Sequence, residues 1–214
     1  MEKCRLILVR HGETVWNKQG RYQGQIDTEL SERGLEQGRA LGRALSEVPI
    51  DEFYASQLRR AKDTAQFCAD HHGKRVKVDS RLQEIAHGTW EGKLASEIEG
   101  AYPELLRAWR EAPDTVLMPD GESLDMVAER SMQAFTEIAA GNLGKTVLVA
   151  AHDATNKVLL CKILRAPLAS FWQVKQDNTC INVIEYENGQ WRLVLMNYTG
   201  HMGYLYSGIE QKGL

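Results

Sequence analysis

Cysteine is scarce in this chain and scattered where it occurs. Cys4, Cys68, Cys161 and Cys180 make no C-x-x-C pair, which argues against a zinc site or a thiol-redox motif. All four fall in segments that read as packed, so they are expected to be reduced thiols, consistent with a cytoplasmic protein. Long apolar runs are missing as well. No stretch approaches the ~20 residues that a membrane-spanning helix requires, and no basic, apolar, small-residue sequence of the signal-peptide kind leads into the first strand. Neither sign of charge dominates. The 26 basic and 29 acidic residues leave a net charge of -3, so no nucleic-acid or membrane surface is expected. An anionic ligand would have to be captured by a local cationic pocket. Internal repeats and low-complexity linkers are absent too. What remains is 214 residues with 43% hydrophobic content, enough for one substantial core.

The apolar pattern alternates between strand and helix periods. Arg5 to Arg10 (RLILVR) reads as a buried strand closed by His11-Gly12. Ser31 is a candidate N-cap for a helix from Glu32 to Ser46, with Leu35, Leu41 and Leu45 on one face. Asp51 to Ala55 and Val76 to Val78 read as strands, with a helix from Leu58 to His71 between them. From Gly92 to Gly144 the pattern turns helical: one segment covers Ala95 to Arg110, interrupted near Pro103, and another runs from Ser123 to Ala140. Thr146 to Ala151 (TVLVAA) is a β-branched apolar strand running into His152, and a helix from Ala154 to Leu164 follows. Cys180 to Tyr186 and Trp191 to Met196 alternate around Glu187-Asn188-Gly189, a hairpin signal. The order implies an α/β fold: a three-layer α/β/α sandwich with a mostly parallel sheet, an antiparallel C-terminal hairpin and an inserted helical cap. A single domain over 1–214, with the cap at about 92–144, is the expected organisation.

In open α/β sheets ligands bind beyond the carboxyl ends of the strands. His11 and His152 each follow such an end, and Arg10 adjoins the first. A second cationic candidate is one of Arg59 and Arg60 at the start of a helix. A guanidinium offers a rigid fork of donors that matches phosphate oxygens. His71, His72, His87 and His201 show no ligand spacing and are read as structural.

These residues lie in longer segments that resemble the histidine phosphatase superfamily, also called phosphoglycerate mutase-like. Leu8 to Thr14 (LVRHGET), with Asn17 behind it, is similar to its signature. Leu30 to Gly34 resembles the L-T/S-x-x-G turn, and Ser56 to Ala61 with Thr64-Ala65 resembles S-D-L-x-R-A-x-x-T-A. Leu82-Gln83-Glu84 through Gly88, Trp90-Glu91-Gly92 resembles L-R-E-x-x-x-G-x-W-E-G, and Val149 to His152 resembles the strand ending in the second histidine. The five matches occur in order between residue 5 and about 160. Carried over by position, the resemblance implies His11 as phosphoryl acceptor, Glu84 as proton donor, and a phosphate pocket of Arg10, Arg60 and His152. Asn17 would be a further donor, and Gln23 in the Gly20–Gly24 loop a pocket residue. The implied enzyme is a metal-independent phosphomonoesterase working through phosphohistidine, with no metal and no cofactor. Its partner would be a small phosphorylated metabolite.

Three positions depart from the family pattern. Asp153 stands where glycine is usual, and is expected to cap the following helix; the other readings are that it points away or pairs with a cationic substrate group. Gln57 replaces the usual Asp and Gln83 the usual Arg, with packing rather than chemistry expected to change. A cofactor-dependent phosphoglycerate mutase is the alternative function. The stretch Ile85-Ala86-His87-Gly88-Thr89-Trp90-Glu91-Gly92 resembles the phosphatase branch instead. A non-catalytic phosphoryl-binding module ranks below both. Trp109, Arg107 and Arg110 are candidate cap contacts without an assigned role. The alternation in Cys180 to Tyr186 suggests a free sheet edge for a homodimer.

Overall fold

A computed structural model describes residues 2–204, so Met1 and residues 205–214 of the expected single domain lie outside the described residues. In chain order the elements are β1 (Cys4–Arg10), α1 (Val15–Gln19), α2 (Glu32–Leu45), β2 (Glu52–Ala55), α3 (Arg59–His71) and β3 (Val76–Val78). They continue with α4 (Ala95–Ala101), α5 (Pro103–Glu111), α6 (Leu124–Ala140), β4 (Thr146–Ala151), α7 (Asp153–Leu164), β5 (Ile181–Glu187) and β6 (Gln190–Tyr198). The strands form one sheet in the order β3-β2-β4-β1-β5-β6. β1 to β4 run parallel, while β5 is antiparallel to β1 and β6 to β5. The fold is the expected α/β class.

Strand β1 shows why its sequence is an uninterrupted apolar run. Leu6 and Leu8 enter one core with Val147, Val149 and Ala151 of β4, beneath α6 and α7. Ile7 and Val9 enter a second core with Leu148 and Ala150, against Leu41 and Leu45 of α2 and Ala65, Cys68 and Ala69 of α3. Covered on both faces, a parallel strand has no polar side. Each such buried aliphatic side chain contributes roughly 1.5–3 kcal/mol. The sheet centre is therefore packed on both faces, and the chain leaves β1 and β4 at His11 and His152.

Local chemistry sets the helix starts. Ser31 accepts from Gly34 N and Ser123 from Met126 N, so both expected N-caps are present. The segment expected as one interrupted helix is two, because Pro103 at the first position of α5 cannot continue α4. Helix α6 packs in the first core with α7 and β1, so residues 92–144 contribute a layer of the sandwich as well as the segments α4 and α5. Asn188 and Gly189 both adopt positive φ, the backbone of the tight turn joining β5 and β6. One expectation fails here. β5 is hydrogen-bonded on both sides, to β1 and to β6, so Cys180 to Tyr186 offers no free edge; the outer strands are β3 and β6. All four cysteines are buried and unpaired. No helix among the described residues is long and apolar enough to cross a membrane.

Candidate active site

The carboxyl ends of β1 and β4 lie side by side, with Arg10 opposite Ala151 and His11 N donating to Ala151 O at 3.1 Å. That ladder brings His11 and His152 together, ring centroids 5.2 Å apart. His11 Nδ1 sits 2.7 Å from the carbonyl oxygen of Gly12. A carbonyl only accepts, so Nδ1 carries the proton and the lone pair is left on Nε2. Burial holds the ring well below the usual imidazole pKa, and the charges of Arg60 and Arg10 push the same way. His11 is thus a neutral base at pH 7.

The loop after His11 is pinned from several sides. Gly12 N donates to Thr64 Oγ1 (3.0 Å), Glu13 N to Gln37 Oε1 (2.7 Å), and Ser31 Oγ to Glu13 Oε1 (2.8 Å). A Cβ on Gly12 would stand 2.7 Å from Gly34 O, so the loop and the first turn of α2 approach as closely as glycine permits.

Both arginines assigned to the pocket are buried. Arg10 Nη1 donates to Asp153 Oδ1 (3.0 Å) and Gln176 O (2.7 Å). Arg60, in the first turn of α3, donates from Nη1 to Ile26 O (2.9 Å) and from Nη2 to Gly24 O (2.7 Å). The Nε of each arginine has no partner among the described residues. Burial pushes Arg60 down to about 10, countered by the carboxylates of Glu84 and Asp27, so it is still a cation at neutral pH. Arg59 instead pairs with Glu29 on the exposed face. His152 is the N-cap residue of α7. Its Nε2 is 2.6 Å from Ser56 Oγ, which already accepts Leu58 N–H. The Ser56 proton can then be given to Nε2, which leaves the proton of His152 on Nδ1.

Glu84 is 2% exposed. Its carboxylate accepts from Ile85 N (3.0 Å to Oε1), Ala154 N (3.1 and 3.3 Å) and Thr155 N (3.3 Å), seating it at the N-terminus of α7. Burial and then the Asp153 carboxylate push its pKa up, while Arg60, the Ile85 amide and Arg10 pull against them. A neutral imidazole, two guanidiniums and a carboxyl group that holds its proton longer than usual therefore share one buried place.

The remaining candidates play quieter parts. Asn17 Oδ1 accepts from Thr14 N and Asn17 N donates to Thr14 Oγ1, closing the capping box of α1. The Oε1 of Gln23 accepts from Thr14 and Thr28 hydroxyls (2.7 and 2.6 Å), which braces the loop. The expectation that Asp153 caps the following helix is overturned. His152 occupies the cap, and the Asp153 carboxylate bridges Arg10 Nη1 and Lys157 Nζ (3.0 and 2.8 Å) in the interior. The Ala154 and Thr155 amides at the start of α7 are taken by Glu84, and Asp153 pairs with the two cations instead.

The model of the histidine phosphatase superfamily (branch 1) matches residues 6–199. The chain belongs to that superfamily. Phosphoserine phosphatase 1 of Hydrogenobacter thermophilus is 38% identical over 94% of this chain and 96% of its own. The metal-independent phosphoserine phosphatase of Arabidopsis thaliana is 33% identical over 98% and 89%. The native structure of mycobacterial glucosyl-3-phosphoglycerate phosphatase superposes with a TM-score of 0.84 at 33% identity, covering 91% of this chain and 99% of that one.

As a histidine phosphatase, a phosphoric monoester hydrolase, the enzyme also contains supports that its sequence did not single out. Arg130 of α6 donates to the backbone carbonyls of Arg81, Gln83 and Glu84 and pairs with Glu122. Nothing in the spacing of Arg130 signals this, because it depends on where the sheet places α6. Ser56 and Thr64 were visible as motif letters, but not as partners of His152 and Gly12. Gln57 Nε2 donates to Gln83 Oε1 at 3.0 Å, so the two departures of this histidine phosphatase from the family pattern answer one another. Among the described residues, no three His, Cys, Asp or Glu side chains gather as metal ligands.

Proposed function

We propose that the enzyme hydrolyses a small phosphate monoester in two steps, with His11 as nucleophile and Glu84 as the proton carrier. In the first step the Nε2 lone pair of His11 bonds to phosphorus, and the ester P–O bond breaks. The departing alkoxide takes the Glu84 proton. In the second, the Glu84 carboxylate takes a proton from water as the water oxygen attacks phosphorus and the P–N bond breaks, returning His11 to its neutral form. The free Nε of Arg10 and of Arg60, with Nδ1–H of His152, are the donors for the phosphoryl oxygens, where the transition state spreads its charge. This scheme handles all charge with side chains and assigns no step to a metal. Asn17, whose amide N–H groups are left over by the cap, is a further donor.

The observation that carries the reading is the 2.7 Å bond between His11 Nδ1 and Gly12 O, which fixes the tautomer with a lone pair on Nε2 beside two buried guanidiniums. Two relatives named for phosphoserine make a phosphorylated hydroxy-amino acid the first substrate to test. The buried free thiols suit a reducing compartment such as the cytoplasm.

Rapid quench with ³²P-labelled phosphoserine should place alkali-stable, acid-labile label on His11, and His11→Ala should abolish both label and turnover. Label on another residue, or turnover that needs a divalent ion after chelation, overturns the scheme. Conversion of 3-phosphoglycerate in place of phosphate release would assign the enzyme to the mutases.

A further inference from the structure

The usual glycine after the second histidine is replaced here by an aspartate whose carboxylate is fully buried. A negative charge beside a phosphate pocket ought to repel the ligand. Its surroundings show how that is avoided. One oxygen lies 3.0 Å from Arg10 Nη1 and the other 2.8 Å from Lys157 Nζ, one turn further along α7. The Lys157 ammonium is itself 2% exposed and stands over the rings of Trp172 (4.6 Å) and Phe171 (4.9 Å). The three charges leave one net positive, the same as an arginine alone.

We infer that Asp153 is a positioning residue for phosphate binding: braced by Lys157, its carboxylate holds the Arg10 guanidinium so that Nε and Nη2 are presented to the phosphoryl group. The inference rests on Arg10 binding that group, as proposed above. Arg10 Nη1 is caught between two acceptors, Asp153 Oδ1 and Gln176 O. Two bonds to one end of a planar fork fix its plane, and a fork fixed before the ligand arrives loses less freedom on binding. Glycine cannot supply the first of these bonds. Lys157 in turn keeps the carboxylate from cancelling the charge that attracts phosphate.

The test compares wild type, Asp153→Ala, Asp153→Ala with Lys157→Met, and Arg10→Ala, reading the inhibition constant of inorganic phosphate, KM and kcat with p-nitrophenyl phosphate, and the melting temperature; alanine is chosen because, unlike asparagine, it leaves no acceptor for Arg10 Nη1. The double variant also removes the buried ammonium that pairs with Asp153, so one test protein loses both members of that ion pair together. Both Asp153 variants should bind phosphate about tenfold more weakly, and the double variant should do so while melting near the wild-type temperature. A folded Asp153 variant that binds phosphate as tightly as wild type, or more tightly, overturns the inference while Arg10→Ala still weakens binding. Unchanged binding in Arg10→Ala would instead overturn the phosphate pocket itself. A lowered melting temperature with wild-type phosphate affinity would mean that the trio serves the fold alone, and would likewise overturn it.

Discussion

Glu84→Gln separates chemistry from folding, because the structure indicates how much each should change. Three of the four amide contacts to the carboxylate end on Oε1, and only the 3.3 Å contact from Ala154 ends on Oε2. A glutamine can therefore put its carbonyl where Oε1 was and leave its NH2 facing one long contact. The stability cost should be about 1 kcal/mol, which shifts the melting temperature of a chain this size by roughly 2–4 °C. The catalytic cost should be far larger. A positioned general acid contributes about 100- to 10,000-fold, and an alkoxide leaving group needs all of it. Phosphoserine turnover should fall by that factor while inorganic phosphate still binds. With p-nitrophenyl phosphate, whose leaving group departs without a proton, the variant should release one equivalent of nitrophenolate in a stopped-flow burst. It should then stall, since the water that clears phosphohistidine lacks its base. The high-pH limb of kcat/KM, where raised Glu84 loses its proton, should vanish as well. Wild-type turnover of phosphoserine by a folded Glu84→Gln enzyme would refute the assignment.

Other perturbations test the pocket and its frame. Arg60→Lys puts all its donors on one nitrogen and loses the planar fork that reaches Gly24 O and Ile26 O from separate nitrogens while Nε faces elsewhere, so kcat/KM should drop by about 2.7–4 kcal/mol in transition-state stabilisation, read from steady-state kinetics. Gly12→Ala forces a methyl against Gly34 O and should cost about 1–3 kcal/mol in a denaturant melt; an unchanged midpoint would show that the loop can yield. Acid should destabilise the fold through its buried histidines. His87 is held down to about 3 by burial, and His11 and His152 well below 6.5, so the native state binds fewer protons than the unfolded chain. Their contribution is complete above pH 6.5 and is lost as pH falls towards the folded values, on the order of 2 kcal/mol for His87 between pH 6.5 and 5. Glu84 has the opposite sign, its contribution being complete below the usual carboxylate value and lost as pH rises through the raised one. Denaturant melts at pH 7 and pH 5 that gave equal stability would contradict this balance.

The elements of the sheet were legible because burial leaves a periodic trace. RLILVR and TVLVAA are apolar on both faces, and the observed cores divide them residue by residue, Leu6 and Leu8 from Ile7 and Val9. Ser31 and Ser123 were readable as caps because a hydroxyl before an apolar period has a local job. The candidate site was readable from motif letters, and the structure brings His11, Arg60 and Glu84 into one buried place. What escaped depends on contacts between distant segments. The interior position of β5 follows from sheet order, which no alternation within Cys180 to Tyr186 encodes. Asp153 was misread for the same reason: a cap is local, whereas one of its two partners, Arg10, lies 143 residues away. Arg130 looks like any surface arginine until α6 is laid against the strand ends.

That Arg130 clamp gives the backbone that bears Glu84 a support of its own, beside the sheet that carries His11 and His152. The imidazoles hang from the central sheet, while the backbone of the carboxyl group is slung from a helix by one guanidinium reaching three carbonyls. On the proposed mechanism, an engineer wanting a phosphoryl carrier instead of a hydrolase would loosen that clamp first: an activated ester such as p-nitrophenyl phosphate should still load His11, and release should slow.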